Sequence, residues 1–249
     1  MTISAIETKS LTQKFGDYLA VNNLSLNVAQ GEVFGFLGHN GAGKTSTIHM
    51  LTTLVKPYSG QAAIFGESVV EHPDRVKQLI GYVPENVRLY DSLTTRENLL
   101  FFAGLSGIDD LHASVDRAMS ILGILDLENK RVGQFSKGMR QRVGLTQAIV
   151  HQPKLLFLDE PASGLDPMGI KMLRDLIAKL NSELGITIFM NTHLISEVSK
   201  TCSSIGVLNH GQLIFSGKVD EVKALLGEEN AVEDLYLDMQ RNASTEVAL

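Results

Sequence analysis

The chain has 249 residues, 44% of them hydrophobic and 20% charged, enough for one large folded domain or two small ones. Its net charge of −6 and the lack of a basic face count against a nucleic-acid partner, and no apolar run approaches the roughly eighteen residues of a membrane-spanning helix. The single cysteine, Cys202, cannot close an internal disulfide, which fits a reducing compartment and a small core side chain.

The N-terminus "MTISAIETKS" lacks the basic start and apolar stretch of a secretion leader. The first thirty residues alternate in polarity, as in "LSLNV", and predict a small antiparallel sheet. "EVFGFLG" (Glu32–Gly38) is a β-rich run ending in glycine, and a helix is expected over Lys44–Leu54. Strand signals vanish from Asn86 to Gln152, where "TTRENLLFFAGLSG" and "SVDRAMSILGIL" have helical spacing. "KLLFLDE" (Lys154–Glu160), "ITIFMNTH" (Ile186–His193) and "SIGVLNHG" (Ser204–Gly211) are continuous apolar runs bounded by polar residues, the pattern of strands buried on both faces. Helices are expected at Pro167–Leu184 and Leu194–Ser199. After Gly227 the chain turns acidic, with "AVEDLYLDM" as an amphipathic helix before a frayed end. The order predicts an α/β core with a mainly parallel sheet, a small N-terminal antiparallel β-subdomain and an α-helical subdomain inserted at about 86–152. The main domain is expected over 1–226 and an acidic helix and tail over 227–249.

Gly38-His39-Asn40-Gly41-Ala42-Gly43-Lys44-Thr45 matches G-x-x-x-x-G-K-[ST]. Glycines let the backbone curl so that several N–H groups point at phosphate oxygens, and the following helix directs its positive end to the same place. In that chemistry Lys44 reaches the β- and γ-phosphates, Thr45 ligates Mg²⁺ and Ser46 adds a hydroxyl to the α-phosphate. The motif follows a strand and opens a helix, as this mechanism requires.

Asp159 closes an apolar strand and Glu160 follows it. A carboxylate there reaches Mg²⁺, and the next one is placed to polarise a water for attack on the γ-phosphate. An acidic pair at a strand end is otherwise a plain boundary; its weight comes from the phosphate loop upstream and "PASGLDP" downstream. His193 closes the next strand and has two readings, a structural histidine or a hydrogen-bond donor to the γ-phosphate, because parallel strands end on one side of a sheet and ligands bind there. A second small-residue turn, "QFSKGMRQR" (Gln134–Arg142), leads into a basic helical run without an acid, base or metal ligand. Ser136 there also suits an ordinary helix N-cap.

Together "GHNGAGKTS", "GYVPEN", "FSKGMRQR", "LLFLDEPASGLDP" and "NTH", in this order and spacing, resemble the ATP-binding subunits of ABC transporters over Ile6 to about Gly217. Within that family the chain looks most like the drug- and ion-exporter branch that pairs with ABC-2-type membrane subunits. The resemblance implies a P-loop NTPase fold, ATP and Mg²⁺ as cofactors, and ATP hydrolysis coupled to transport, most simply export. It also implies a peripheral position on the cytoplasmic face of the membrane and a second nucleotide-binding subunit, in the simplest case another copy of this chain. By the same resemblance Ser136 and Gly138 match a signature loop that binds the γ-phosphate of ATP held by the second subunit. Phe15 takes the place of the aromatic that stacks on adenine, with Tyr18 as the alternative. Ser163 and Asp166 fall in a loop that touches the opposite subunit, and the helical insertion resembles the part that grips the membrane partner.

Three positions depart from the family pattern. Glu85 stands where many relatives have a glutamine near Mg²⁺ or the attacking water; a carboxylate also ligates Mg²⁺ but adds negative charge near phosphate. Lys137 and Met139 replace Gly and Gln in the signature, and Lys137 either favours the phosphate or is simply solvated. His39 replaces a common proline, with little effect expected. Two rival readings follow. A soluble family member acting on ribosomes or DNA commonly carries paired cassettes, coiled-coil arms or iron–sulfur cysteines, which this chain lacks. An ATP clamp that hardly turns over is opposed by the presence of both Glu160 and His193.

Overall fold

A twelve-residue strand β1 (Ser4–Phe15) turns through Gly16 into β2 (Tyr18–Ala29), and the two pair antiparallel. The computed structural model describes residues 3–226 and 231–237. β3 (Val33–Leu37) leads through a loop into α1 (Lys44–Leu51), and the chain then returns to the first sheet with β4 (Ser59–Ile64) and β5 (Glu67–Ser68), giving the order β2-β1-β4-β5. The antiparallel sheet therefore extends well past the first thirty residues, where the sequence reading had confined it.

After α2 (Pro73–Leu79) and β6 (Ile80–Val83) the chain is helical: α3 (Thr95–Leu105), α4 (Leu111–Leu122), two 3-10 turns at Leu125–Leu127 and Val132–Gln134, and α5 (Lys137–Ile149). It then alternates through β7 (Leu155–Asp159), α6 (Pro167–Leu184), β8 (Thr187–Thr192), α7 (Ile195–Thr201), β9 (Ser204–Asn209), β10 (Gln212–Lys218) and α8 (Val219–Leu226). The second sheet has the order β10-β9-β3-β8-β7-β6, parallel throughout except for the β9–β10 pair. Of the acidic tail expected over 227–249, only 231–237 lie within the described residues, and they are helical; the expected frayed end lies outside them.

Every residue of β3, β7, β8 and β9 is buried, which is why these strands read as unbroken apolar runs. Alternate side chains feed two cores. Leu156, Leu158, Ile188 and Met190 pack towards the face covered by α4, α5 and α6. Phe34, Phe36, Phe157 and Phe189 point the other way, with ring centroids 5.2–5.5 Å from Phe189, beside Ile48 and Leu51 of α1. The aromatic cluster thus supports the helix that opens the phosphate loop. Cys202 is buried as expected, and desolvation pushes its thiol pKa up to about 12.

The strand β6 was not read from the sequence. It is only four residues long and contains Gly81, where a Cβ would lie 2.3 Å from the carbonyl oxygen of Ala148 in α5. The glycine that blurs the strand signal is what lets the helix backbone approach the sheet.

In the helical segment a capping box starts α3. Thr94 Oγ1 accepts from Glu97 N at 3.2 Å, and Thr94 N donates to Glu97 Oε2 at 2.7 Å. Arg96 then bridges Asp116 of α4 and Glu128. Thr94→Ala is expected to cost about 1 kcal/mol. Thermal unfolding reads this as a midpoint about 2–4 °C lower; an unchanged midpoint contradicts it.

Candidate active site

The loop from Gly38 to Thr45 joins the C-terminal end of β3 to α1. Gly43 has φ +105, and a Cβ there would lie 2.2 Å from the carbonyl oxygen of Ala20, so only glycine fits between the loop and the start of β2. A Cβ at Gly38 would lie 2.6 Å from the carbonyl oxygen of Leu208 in β9. The loop is therefore clamped between two strands. His39, in place of a proline, adds to the clamp: its Nε2 lies 3.1 Å from Asn209 Oδ1 and its ring centroid 5.1 Å from that of His210.

Lys44 folds back under this loop. Its Nζ donates to the carbonyls of Gly38 at 2.7 Å and His39 at 3.2 Å and lies 3.9 Å from Glu160 Oε1. Burial lowers the ammonium pKa, and the Glu160 and Asp159 carboxylates oppose that shift. No acidic residue stands in the first turn of α1, so its positive end is left for an anion.

The strands β3, β7 and β8 run parallel, and their C-terminal ends lie together: Leu37 pairs with Thr192 and Asp159 with Asn191. Asp159 Oδ1 accepts from Thr45 Oγ1 at 3.3 Å and from Asn191 Nδ2 at 2.5 Å, and its Oδ2 lies 3.5 Å from the Tyr82 hydroxyl. Burial and then the Asp159 charge push the Tyr82 phenol well above its usual pKa, so it stays protonated. Glu160 turns sharply at φ +48. Its Oε2 lies 2.7 Å from His193 Nδ1 and accepts from His193 N at 3.4 Å, while its buried Oε1 has no hydrogen-bond partner. Glu85 Oε1 accepts from Ser163 Oγ at 3.1 Å.

A cleft of about 260 Å³ opens over these groups, lined by Tyr18, Asn40, Lys44, Thr45, Glu85 and Glu160, with Gly41, Gly43 and Ser46 along the loop. Tyr18 lines it directly, and its hydroxyl donates to the carbonyl of Gly41 at 3.2 Å. Phe15 pairs with Tyr18 across the hairpin end, half exposed, and does not line the cleft. Ala42 is buried beneath the loop.

Besides Phe15, three expected residues lie elsewhere. Ser136 and Gly138 line a separate depression between α5 and α6, together with Asp166. Ser136 Oγ caps α5 by accepting from Met139 N at 3.3 Å, and Asp166 Oδ1 caps α6 by accepting from Gly169 N at 2.9 Å. Lys137 lies against Gly164 of the intervening loop; a Cβ at that glycine would be 3.0 Å from Lys137 Nζ. The structure thus gathers Lys44, Thr45, Ser46, Glu85, Asp159, Glu160 and His193 at one cleft and keeps the signature turn apart from it. The sequence reading missed Tyr82 and Asn191. The available signal for Asn191 was a carboxamide inside the otherwise apolar "IFMN" run.

A glycine loop closed on a buried lysine, with two successive acids at the end of β7, a parallel strand of the same sheet one strand away from β3, matches the pattern of the P-loop nucleoside triphosphatases. The family model for ABC transporters matches residues 21–163. The bacitracin transport ATP-binding protein BcrA of Bacillus licheniformis is 44% identical over 218 residues, which cover 88% of this chain and 71% of that protein. The probable multidrug ABC transporter ATP-binding protein YbhF of Escherichia coli is 37% identical over 225 residues, 89% of this chain and 38% of that protein. The structure of cbiO1 from Clostridium perfringens, part of an ABC transporter complex, superposes with a TM-score of 0.82 at 28% identity, covering 98% of each chain. The chain belongs to the ABC transporter family, as an ATP-binding and ATP-hydrolysing subunit.

Proposed function

We propose that this subunit binds ATP with Mg²⁺, closes over it with a second nucleotide-binding subunit, most simply another copy of itself, and drives export through an ABC-2-type membrane subunit from the cytoplasmic face. Export is supported by the relatives' names, one a bacitracin transport protein and one a probable multidrug transporter subunit. Among the described residues no helix is long and apolar enough to cross a membrane.

The donor set fits Mg²⁺. Thr45 Oγ1 and Asp159 Oδ1 lie 3.3 Å apart at the cleft, and Glu85 lines the same space with hard oxygen atoms. Thr45, Asp159 and Glu85 would hold the ion, which neutralises phosphate charge when bound. The chain's own groups do the rest. Lys44 holds the β- and γ-phosphates. Glu160 Oε1, which makes no hydrogen bond and lies 3.9 Å from Lys44 Nζ, takes the proton of the attacking water. His193 holds the other oxygen of that carboxylate through Nδ1 and its backbone N–H. Tyr18, with Phe15 next to it, offers an aromatic face to the adenine.

The observation that carries the paired arrangement is the position of Ser136 and Gly138. They stand at the start of α5, a natural anion seat, yet outside the cleft of their own phosphate loop. A second subunit's ATP supplies the missing anion. A Cβ at Gly138 would meet only Leu165 Cδ2, at 3.8 Å, so a side chain is accommodated there. Gly138→Asp is expected to place a negative charge against the partner's phosphate. It should abolish both MgATP-dependent dimers in light scattering and turnover, while fluorescent-ATP binding persists. Dimers that form as in the parent would overturn the paired site.

A further inference from the structure

We propose that Asn191 is a positioning residue that sets both acids of the site, Asp159 through its side chain and Glu160 through its backbone. The inference rests on the reading of Glu160 as the base and goes one step behind it. Asn191 is fully buried in β8, preceded by the apolar Ile188, Phe189 and Met190. A carboxamide there is costly unless both its ends are paired. Both are, and both to the end of β7. Nδ2 donates to Asp159 Oδ1 at 2.5 Å, and Oδ1 accepts from Glu160 N at 3.0 Å.

The partners fix the orientation of the amide. A carboxylate only accepts and a backbone N–H only donates, so the NH₂ must face Asp159 and the oxygen must face Glu160. Register leaves no substitute, because Asp159 pairs directly with Asn191 across the two strands. Glu160 sits at φ +48, a conformation a non-glycine residue keeps only when its surroundings hold it. Its N–H is held twice, by Asn191 Oδ1 and by the Asn191 carbonyl at 3.1 Å. That turn aims the side chain back at His193 and Lys44.

Without the amide, Asp159 retains Thr45 and a long contact to Tyr82, and its carboxylate is free to rotate. The Glu160 turn loses one of its two acceptors. Asn191 does not line the phosphate cleft, so nucleotide binding should be spared while the chemical step suffers.

Two substitutions separate hydrogen bonding from volume. Asn191→Leu keeps the size and removes the polar ends; Asn191→Ser is smaller, but a hydroxyl both donates and accepts. The expected order of kcat is parent, then Asn191→Ser, then Asn191→Leu. The leucine variant should fall about 10–100-fold, with KM and fluorescent-ATP affinity within about threefold of the parent. A leucine variant as active as the serine variant, or more so, overturns the inference. Glu160→Gln is assayed alongside. If Glu160→Gln still turns over, the reading of the base fails and this inference with it. If Glu160→Gln is inactive while Asn191→Leu matches the parent, only this inference fails.

Discussion

Lys44→Ala is expected to remove ATP turnover, with a loss of about 10²–10³ in kcat/KM or more, as for a single donor aimed at developing charge. The ammonium folds beneath the phosphate loop, and its position is set by the Gly38 and His39 carbonyls. Alanine removes the charge that a γ-phosphate would meet. It also takes the lysine donor from the Gly38 carbonyl, leaves the His39 carbonyl with Ala42 N alone, and leaves a nearly buried Glu160 without its neighbour at 3.9 Å. The variant should therefore be less stable without nucleotide, by about 1–3 kcal/mol for the groups left unpaired. Lys44→Met keeps the length of the side chain and separates lost charge from lost packing. Phosphate release measures turnover, and a thermal melt measures the stability loss. If Lys44→Met hydrolyses ATP at the parent's rate, the loop from Gly38 to Thr45 is not the catalytic phosphate site.

The parts of this site that are short in sequence were legible from it. Gly38 to Thr45 carries its chemistry in consecutive residues, and Asp159 and Glu160 end a run buried on both faces, so period and composition both report it. Helix α6 was expected over Pro167–Leu184 and lies there, because Asp166 caps it, Pro167 starts it and Gly185 ends it in the left-handed conformation. What was missed depends on distance across the fold. The four-residue strand β6 holds a glycine required by α5, and β4 and β5 join a sheet whose first strand lies about fifty residues earlier. Which aromatic lines the cleft is settled by the hairpin: Phe15 and Tyr18 are cross-strand partners, yet only Tyr18 reaches the Gly41 carbonyl. The separation of Ser136 from the phosphate loop is likewise a property of packing, invisible in a linear motif. Asn191 shows the same limit, since its two partners are 31 and 32 positions away in the chain.

Glu160→Gln separates binding from chemistry. Glutamine has almost the same shape and still accepts from the His193 backbone and side chain, so the φ +48 turn and the bracket around it should survive. What it loses is a basic oxygen. Glu160 Oε1 makes no hydrogen bond within the chain, so its lone pairs are left for the attacking water. The expected loss in kcat is about 10²–10⁴, the range for removing a positioned general base. Affinity for ATP should hold or rise, because a negative charge disappears from beside Lys44 and the incoming phosphates. If ATP is the joint between two subunits, a variant that binds but cannot hydrolyse keeps the joint closed, since the γ-phosphate that favours the closed pair is never lost. Light scattering with MgATP should then show a stable doubling of mass that ADP does not produce. A variant that binds ATP tightly and stays monomeric would separate the two halves of this argument, leaving Glu160 as the base and removing Ser136 and Gly138 from the nucleotide. A variant that hydrolyses at the parent's rate would remove Glu160 itself, and the base would then have to be sought at Glu85, the other carboxylate lining the cleft.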